Sequence, residues 1–183
     1  MTGPAAETGE PGAGPELDAG PGPDDGELAR LIVARLTASG QTVAVAESLT
    51  GGLVMAALTS IPGASIVVRG GVVAYATDLK AALLGVPGDL LALHGPVDPQ
   101  VAAAMAAGVR ARLGASYGLA TTGVAGPGPA DGKPRGTVFV ALDGPSGPAG
   151  SGLQLDGDRQ QIRQQVVQSV LSLLVSALRE DEI

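Results

Sequence analysis

The sequence predicts an α/β domain in which helices pack in layers against a sheet. From about residue 27, helical and strand patterns of hydrophobicity alternate along the chain, and this alternation is typical of layered α/β folds. The strand segments are short runs of β-branched and small apolar residues, and glycine or proline separates them from the helices. With 183 residues, the chain is long enough for one domain with a substantial core.

The first half of the domain alternates between these two patterns. Apolar residues at helical spacing indicate a first amphipathic helix, and a β-branched run indicates the strand that follows it. The double glycine Gly70-Gly71 is expected to bend a strand, because glycine has no side chain to pack in a sheet. The predicted elements are a helix over 28–36, a strand over 42–46, a helix from about 51, one bent strand or two short ones over 66–75, and a helix over 78–84.

The second half continues the alternation and ends in a long helix. Asp98 and Pro99 form a helix start, because an N-cap residue is followed by a proline in the first turn. The last helix carries Ile162, Val166 and Val170, an apolar residue at every fourth position, as a core-facing helix should. The predicted elements are a helix over 98–113, strands over 117–121 and 136–142, a strand near 152–155 and a helix from about 157.

Residues 1–26 are predicted to be a disordered tail, and residues 27–183 the folded domain. The tail contains seven glycines, five prolines and six acidic residues but no lysine or arginine. Such a segment buries too little apolar surface to offset the entropy of ordering it. It carries most of the net charge of −7, and the remaining 12 acidic and 11 basic residues nearly cancel. We therefore expect no basic surface of the kind that binds nucleic acid.

The composition excludes several kinds of active site. Cysteine is absent, which excludes a thiol nucleophile, a disulfide and a thiolate metal site. The single histidine, His94, excludes a multi-histidine metal centre, and we expect neither a metal nor a cofactor. Tryptophan is absent and aromatic residues make up 2%, so stacking surfaces for single-stranded nucleic acid are not expected. Without a long apolar run or a signal peptide, the expected location is cytoplasmic.

The segment 46–52, Ala-Glu-Ser-Leu-Thr-Gly-Gly, places a hydroxyl between a strand and a helix. A nucleophile on such a turn stands clear of the sheet. The backbone N–H groups at the start of the helix lie close enough to receive an oxyanion. Simple capping of the helix by Ser48 or Thr50 explains the same segment equally well.

Three features are expected at the carboxyl ends of neighbouring strands: Ser48, the pair Tyr75 and Lys80, and the loop 122–127. Ligands bind at this edge in open α/β sheets. Lysine activates a serine when burial lowers its pKa enough to leave a neutral amine. Ser48 and Lys80 are thus the most economical nucleophile–base pair in this chain. A solvated Lys80 on the helix surface is the commoner fate of lysine and stays open as the alternative.

Six motifs of this chain follow the order in which one known family carries them. They lie at residues 46–52, 70–80, 94–95, 122–127, 133–138 and 157–159. Together they resemble the CinA C-terminal domain family, over about residues 27–178. The resemblance implies a three-layer α/β/α sandwich with a mixed, mostly parallel central sheet. Larger members carry a further N-terminal domain, for which we expect no counterpart here.

The resemblance also implies an activity, because the family includes stand-alone nicotinamide-nucleotide amidases. These hydrolyse the carboxamide of nicotinamide mononucleotide to nicotinate mononucleotide and ammonia, in pyridine nucleotide salvage. In this chain Ser48 matches the nucleophile and Lys80 the base that accepts its proton. Tyr75 matches the tyrosine beside them and is expected to orient the lysine or to relay the proton.

The remaining site residues are expected to hold the substrate. Backbone N–H groups of residues 50–52 are candidates for the oxyanion, and Glu47 either supports the turn or binds substrate. Arg159 suits the phosphate because its planar fork is joined there by a helix dipole, although a surface charge beside an Asp158 cap is the alternative. His94 is expected to order its loop. The residues expected to bind substrate are Glu47, Thr50, Gly51, Gly52, Thr122, Gly123, Ala125, Gly126 and Arg159.

The chain departs from the family pattern at two places. Leu49 replaces a usual cysteine, and residues 76–79 read Ala-Thr-Asp-Leu where the family commonly has Ser-Asn-Glu-Ala, which changes the lining of the pocket. Two other functions stay open: a non-catalytic nucleotide-binding or regulatory module of the competence or damage-response type, and an amidase of another small carboxamide.

The expected partner is a small nucleotide substrate, and binding to nucleic acid or to a membrane is not expected. A homodimer is a further expectation, because the long apolar last helix would suit an interface between copies. A core helix buried within one chain gives the same pattern, however.

Overall fold

A five-stranded mixed sheet lies between two layers of helices. The structure is a computed structural model and describes residues 24–180. In chain order its elements are α1 (Asp25–Ser39), β1 (Val43–Glu47), α2 (Leu53–Thr59), α3 (Ala64–Val67), β2 (Val68–Val73), α4 (Thr77–Leu84), α5 (Gly88–His94), α6 (Pro99–Leu113), β3 (Tyr117–Gly123), β4 (Thr137–Gly144), β5 (Gly147–Gln154) and α7 (Arg159–Glu180).

The strand order β2-β1-β3-β4-β5 combines a parallel half and an antiparallel half. Strands β2, β1 and β3 run parallel to one another, and β4 and β5 continue the sheet as antiparallel strands. The predicted fold class is thus confirmed. Glu47, at the end of β1, pairs in register with Val73 and with Thr121. The carboxyl ends of the three parallel strands therefore meet at one edge of the sheet, where open α/β folds bind ligands.

Each face of the sheet has its own core. Successive residues of a strand point to opposite faces, so Val43 and Val45 of β1 pack with α1, α2 and α7, whereas Ala44 and Ala46 pack with α6. The apolar stripe predicted in α7 faces the first of these cores. Burial within one chain is thus enough to account for the apolar pattern, and the homodimer stays a prediction. The buried members of the stripe include Ile162, Val166, Val170, Leu174 and Leu178.

Four elements differ from the prediction. Residues 66 and 67 belong to α3, which was not predicted, and β2 is one continuous strand whose register with β1 shifts between Val68 and Gly70. A Cβ at Gly71 would lie 2.5 Å from Cγ of Met55, so the glycine lets α2 pack closely on this strand. Helix α5 was not predicted. Strand β5 begins at Gly147, earlier than predicted. The prediction missed this start because the first residues of the strand are mostly small and show no hydrophobic alternation.

Helix α1 begins inside the last residues of the predicted tail. Asp24 is its N-cap and accepts a hydrogen bond from the N–H of Glu27, whose side chain accepts one from the N–H of Asp24 in return. The rest of that tail, residues 1–23, lies outside the described residues. Between residues 24 and 180, no helix has the length and apolar character needed to cross a bilayer.

Candidate active site

Ser48 lies immediately after β1, at the edge where the parallel strands end. Its N–H donates to the carbonyl of Thr121 at 3.0 Å, which continues the pairing of β1 with β3 past the end of the strand. The side chain is 9% exposed and lines a cavity of about 190 Å³. The turn therefore presents the hydroxyl to a cavity at the expected edge of the sheet.

Glu47 supports this turn. Its carboxylate is fully buried and accepts hydrogen bonds from the N–H groups of Gly52, Val54 and Met55, at 2.8, 3.2 and 2.9 Å. These donors are the first N–H groups of α2, which have no partner within the helix. Helix α2 has no other side-chain cap, so the interpretation of Ser48 or Thr50 as its cap is wrong. Of the two roles expected for Glu47, the structure shows the supporting one.

Thr50, Gly51 and Gly52 are not among the described residues that line the cavity, and their contact with a substrate stays a prediction. The hydroxyl of Thr50 is buried against that of Thr121 at 2.8 Å. The N–H of Gly51 donates to the carbonyl of Ser48, and that of Gly52 donates to Glu47. The N–H groups of both glycines therefore already have acceptors within the chain. Their positive φ angles of 60° and 102° let the backbone make the turn, a conformation that other residues rarely adopt.

Two other N–H groups in this segment lack an acceptor. Between Ser48 and Met55, which the structure describes throughout, only the amides of Leu49 and Thr50 donate to no protein atom. Leu49 follows Ser48 directly and lines the cavity. Its N–H is thus the better candidate for an oxyanion donor than the amides of residues 51 and 52.

Lys80 reaches Ser48 from helix α4. Its Nζ lies 3.1 Å from Oγ of Ser48 and donates to the carbonyl of Ala74 at 2.8 Å. The side chain is 1% exposed, so the alternative of a solvated lysine is wrong. Burial lowers the pKa of Lys80, because the ammonium form loses its hydration, and the carboxylate of Asp131 opposes this by raising it. The geometry brings a hydroxyl and an amine with a lowered pKa into contact.

Tyr75 stands at the mouth of the cavity, away from this contact. Its side chain is 59% exposed, and its hydroxyl accepts a hydrogen bond from Nη2 of Arg159 at 3.0 Å. The carbonyl of Ala74, not the Tyr75 hydroxyl, holds the amine of Lys80. A backbone oxygen therefore orients the amine of Lys80, and Tyr75 pairs with the arginine. The alternative role of Tyr75, as a proton relay, stays a prediction.

Arg159, the first residue of α7, lines the same mouth. Its Nη1 donates to the carbonyl of Gly126 at 3.0 Å, so both sides of its guanidinium group are held near the cavity. The N–H groups of Gln160 and Gln161 donate to the carboxylate of Asp158, at 2.8 and 2.9 Å. This carboxylate occupies the start of the helix, so the expected contribution of the helix dipole to anion binding is not available.

The loop after β3 forms one wall of the cavity. Gly123, Ala125 and Gly126 line it, as predicted. The amides of Ala125 and Gly126 donate to no acceptor in the part of the chain that the structure describes. Side chains are excluded at Gly123, where a Cβ would lie 2.7 Å from the carbonyl oxygen of Thr137. Thr122 also lines the cavity, and its hydroxyl donates to the carbonyl of Pro96 at 2.7 Å, which joins β3 to the segment before α6.

His94 lies outside the cavity lining. Its Nδ1 lies 3.3 Å from the carboxylate of Asp98, the N-cap of α6, so the histidine orders the connection between α5 and α6. Within residues 24–180 no group of three or more His, Asp or Glu side chains is placed to hold a metal ion. Sequence analysis missed Thr77 and Asp131, which line the cavity. Asp131 precedes a glycine in the loop, and this Asp-Gly pair was the available signal for a turn at that point.

Comparison with known proteins places this chain in a family. Residues 25–178 match the CinA C-terminal domain. The chain is similar to a CinA-like protein from Frankia casuarinae, with 53% identity over 82% of this chain and 35% of that protein. It is 48% identical to a putative competence-damage inducible protein from Desulforamulus reducens, over 82% of this chain and 36% of that protein. The chain thus spans little more than a third of the length of these relatives.

Solved structures show the same similarity. A competence/damage inducible protein from Agrobacterium tumefaciens has a TM-score of 0.81 and 40% identity, covering 86% of this chain and 97% of that chain. A competence-damaged protein superfamily member from Enterobacter cloacae has a TM-score of 0.84 and 30% identity, covering 91% of this chain and 99% of that chain. The names of these proteins describe a family and a biological setting, and no reaction.

Proposed function

The chain belongs to the CinA C-terminal domain family, and we propose that this domain hydrolyses the carboxamide of nicotinamide mononucleotide to nicotinate mononucleotide and ammonia. One observation carries the proposal: the amine of the buried Lys80 lies 3.1 Å from the hydroxyl of Ser48 at the edge of a cavity. A serine beside an amine with a lowered pKa is a nucleophile with its base, which suits attack on a carboxamide carbon.

The reaction starts with Lys80 uncharged. Its lone pair accepts the proton of the Ser48 hydroxyl while the oxygen attacks the amide carbon, and the carbonyl of Ala74 holds one amine hydrogen and so fixes the direction of the lone pair. The lysine then gives the proton to the amide nitrogen, and the C–N bond breaks to release ammonia. Water attacks the resulting ester, Lys80 accepts a water proton, and this proton returns to Ser48 as the nicotinate product leaves.

Backbone amides are the proposed donors to the oxyanion. The N–H of Leu49 follows the nucleophile directly, and those of Ala125 and Gly126 belong to the loop after β3, which lines the same cavity. Neutral donors of this kind stabilise the negative oxygen of the tetrahedral intermediate without adding charge to the site. Loss of one such donor typically costs about 2.7–4 kcal/mol of transition-state stabilisation. A backbone donor also explains how leucine can replace the usual cysteine at position 49.

Arg159 and Tyr75 are the proposed contacts of the phosphate. The guanidinium group is fixed at the mouth by Gly126 and Tyr75, both of which are neutral partners, so its charge stays available to an anion. The exposed hydroxyl of Tyr75 can donate to a phosphate oxygen. The nucleotide would then lie with its carboxamide at Ser48 and its phosphate at the opening.

Ammonia release from nicotinamide mononucleotide tests the proposal. The parent chain is expected to release ammonia, and Ser48→Ala and Lys80→Met are each expected to lose roughly 10²-fold or more of the activity, since both groups take part in the proton transfer. Ser65→Ala, which changes an exposed serine of α3, is the matched control and should retain activity.

Other outcomes would contradict the assignment. Release that survives Ser48→Ala would exclude this serine as the nucleophile. If the folded parent binds the nucleotide without releasing ammonia, the domain is a binding or regulatory module. If it releases ammonia only from other small carboxamides, the substrate is wrong and the chemistry stands.

A further inference from the structure

Among residues 24–180, three charged side chains line the cavity, and one of the three is negative. Lys80 lies at the closed end beside Ser48, Arg159 lies at the mouth, and Asp131 lies in the loop that forms a wall. The proposed reaction uses the two basic residues and leaves the acidic one unexplained. A carboxylate in a cavity that binds a phosphorylated substrate repels the phosphate. A carboxylate at this wall therefore suits a ligand that also carries a positive group.

The backbone holds Asp131 in a fixed position. Ala130 and Lys133 exchange hydrogen bonds, N–H to carbonyl, at 3.1 and 2.9 Å, so Asp131 and Gly132 form the two-residue tip of a tight turn. Both tip residues have positive φ angles, 51° and 70°, as a type I′ turn requires. Aspartate tolerates this conformation better than most residues. The turn thus places the carboxylate at the wall of the cavity by main-chain geometry.

The carboxylate of Asp131 is exposed and available to a ligand. It forms no hydrogen bond or ion pair with the part of the chain that the structure describes, whereas the carboxylate of Glu47, beside Ser48, accepts the N–H groups at the start of α2. The negative charge of Asp131 also acts on Lys80, because it raises the pKa of that lysine. The carboxylate therefore lies within electrostatic range of the end of the cavity where the amide reacts.

We propose that Asp131 binds a positively charged ring attached to the reacting amide, and so makes the cavity selective for pyridinium carboxamides. In such a ligand the quaternary nitrogen is two bonds from the ring carbon that carries the carboxamide. A carboxylate within range of the reacting end is therefore also within range of that nitrogen. The inference rests on the proposed amidase function, in which the ring of nicotinamide mononucleotide carries this charge.

A matched pair of ligands isolates the ring charge. Nicotinamide mononucleotide and its reduced dihydropyridine form share the carboxamide, ribose and phosphate, but the reduced ring is neutral. The parent chain is expected to prefer the oxidised form. Asp131→Asn is expected to raise the KM for the oxidised nucleotide by roughly two- to fivefold, as the loss of an ion pair with an exposed carboxylate implies, and to leave the Kd of the reduced form unchanged.

Two further variants separate charge from structure. Asp131→Glu retains the carboxylate and should restore part of the preference for the oxidised ring. Asp89→Asn removes an exposed carboxylate from α5, outside the cavity lining, and should change neither constant. Equal weakening of both ligands by Asp131→Asn would show a structural role for the turn and overturn the inference. So would an unchanged ratio between the two ligands.

Calorimetric binding of the two nucleotides keeps the inference separate from the proposed function. If the parent releases no ammonia, the amidase proposal fails. In that case, a preference of the parent for the oxidised nucleotide that Asp131→Asn abolishes would still support selection of a positive ring. If the parent releases ammonia and Asp131→Asn keeps the preference, the inference fails and the amidase proposal stands.

Discussion

A lysine amine that is kept out of water is the central residue of this site. Lys80 is 1% exposed and has two hydrogen-bond partners, the Ser48 hydroxyl and the Ala74 carbonyl, neither of which carries a charge. An ammonium group in such surroundings has lost its hydration without gaining an anion in contact, which lowers its pKa. The folded chain thereby stabilises the uncharged form, which is the form a base requires, at a cost in stability.

That cost predicts a gain in stability for Lys80→Met. The folded pKa of Lys80 lies below its unfolded value, so the penalty is fully present at pH values below the folded pKa and disappears as the pH rises through the ordinary lysine range. At pH 7 the variant is expected to have a higher Tm, by roughly 2–4 °C for each kcal/mol recovered. Thermal unfolding of both proteins at pH 7 and pH 10 measures this. A lower Tm at pH 7, or a difference that grows with pH, would contradict it.

The opposing effect of Asp131 predicts a shift in the pH dependence of activity. Its carboxylate raises the pKa of Lys80, so Asp131→Asn should lower it further and leave the amine uncharged at lower pH. The acid limb of kcat is therefore expected to move to lower pH. The other groups at the cavity that carry or gain a charge, Tyr75 and Arg159, are unchanged in this variant. A pH profile of kcat tests it with Asp89→Asn as control, and a limb that stays or moves upward would refute it.

At the scale of elements, the start of α2 depends on one buried carboxylate. Glu47 belongs to β1 yet accepts three N–H groups of the following helix, which fixes the turn that carries Ser48. In Glu47→Gln, either orientation of the amide turns its NH₂ group toward an N–H of α2, so at least one buried donor loses its acceptor. We expect a loss of roughly 2–4 kcal/mol in the free energy of unfolding, since hydrogen bonds to charged groups are worth about 1.5–3 kcal/mol each.

Chemical denaturation measures that loss, and the cap of α7 supplies the control. Asp158 accepts two N–H groups at an exposed helix start, where asparagine caps equally well. Asp158→Asn should therefore change the free energy of unfolding by less than about 0.5 kcal/mol. Similar losses in both variants would show that the buried carboxylate of Glu47 contributes no more to the free energy of unfolding than an exposed helix cap does.

The start of α7 predicts a dependence on phosphate. Arg159 is held at the mouth by Tyr75 and Gly126, and no charged partner competes for it in the described structure. Arg159→Ala is expected to raise the KM for nicotinamide mononucleotide by about tenfold or more, since charged hydrogen bonds to phosphate are lost. The KM for nicotinamide riboside, which lacks the phosphate, should stay the same. Equal increases for both substrates would place the arginine elsewhere in the reaction.

Hydrophobic periodicity and turn residues in the sequence predict most of the helices and strands. They also predict that Ser48 and Lys80 lie near each other. The sequence does not predict the partner of each polar group. Glu47 and Thr50 stand in the same short segment as Ser48, yet both are structural, because their side chains turn towards α2 and Thr121. Tyr75 likewise pairs with Arg159, 84 positions away. Such partners depend on how distant elements pack, which no local pattern encodes.

At the scale of the whole molecule, the position of Lys80 depends on the packing of α4 against α6. Gly108 of α6 lies beneath the end of α4, where a Cβ would lie 2.0 Å from the carbonyl oxygen of Leu84. The two backbones therefore touch, with no flexible side chain between them to yield. A group added at this position must therefore push α4, which carries Lys80, away from α6.

Gly108→Ala is therefore expected to reverse the usual sign of a glycine substitution in a helix. Alanine normally stabilises a helix interior by about 0.5–1 kcal/mol, whereas overpacking here should destabilise the fold by about 1–3 kcal/mol. Because α4 carries Lys80, kcat for ammonia release should fall as well, even in the fraction that is folded. Gly88→Ala, at the first position of α5 with open space around its Cβ, is the control and should leave kcat unchanged. A stable and fully active Gly108→Ala protein would show that α4 can move without disturbing the contact between Lys80 and Ser48.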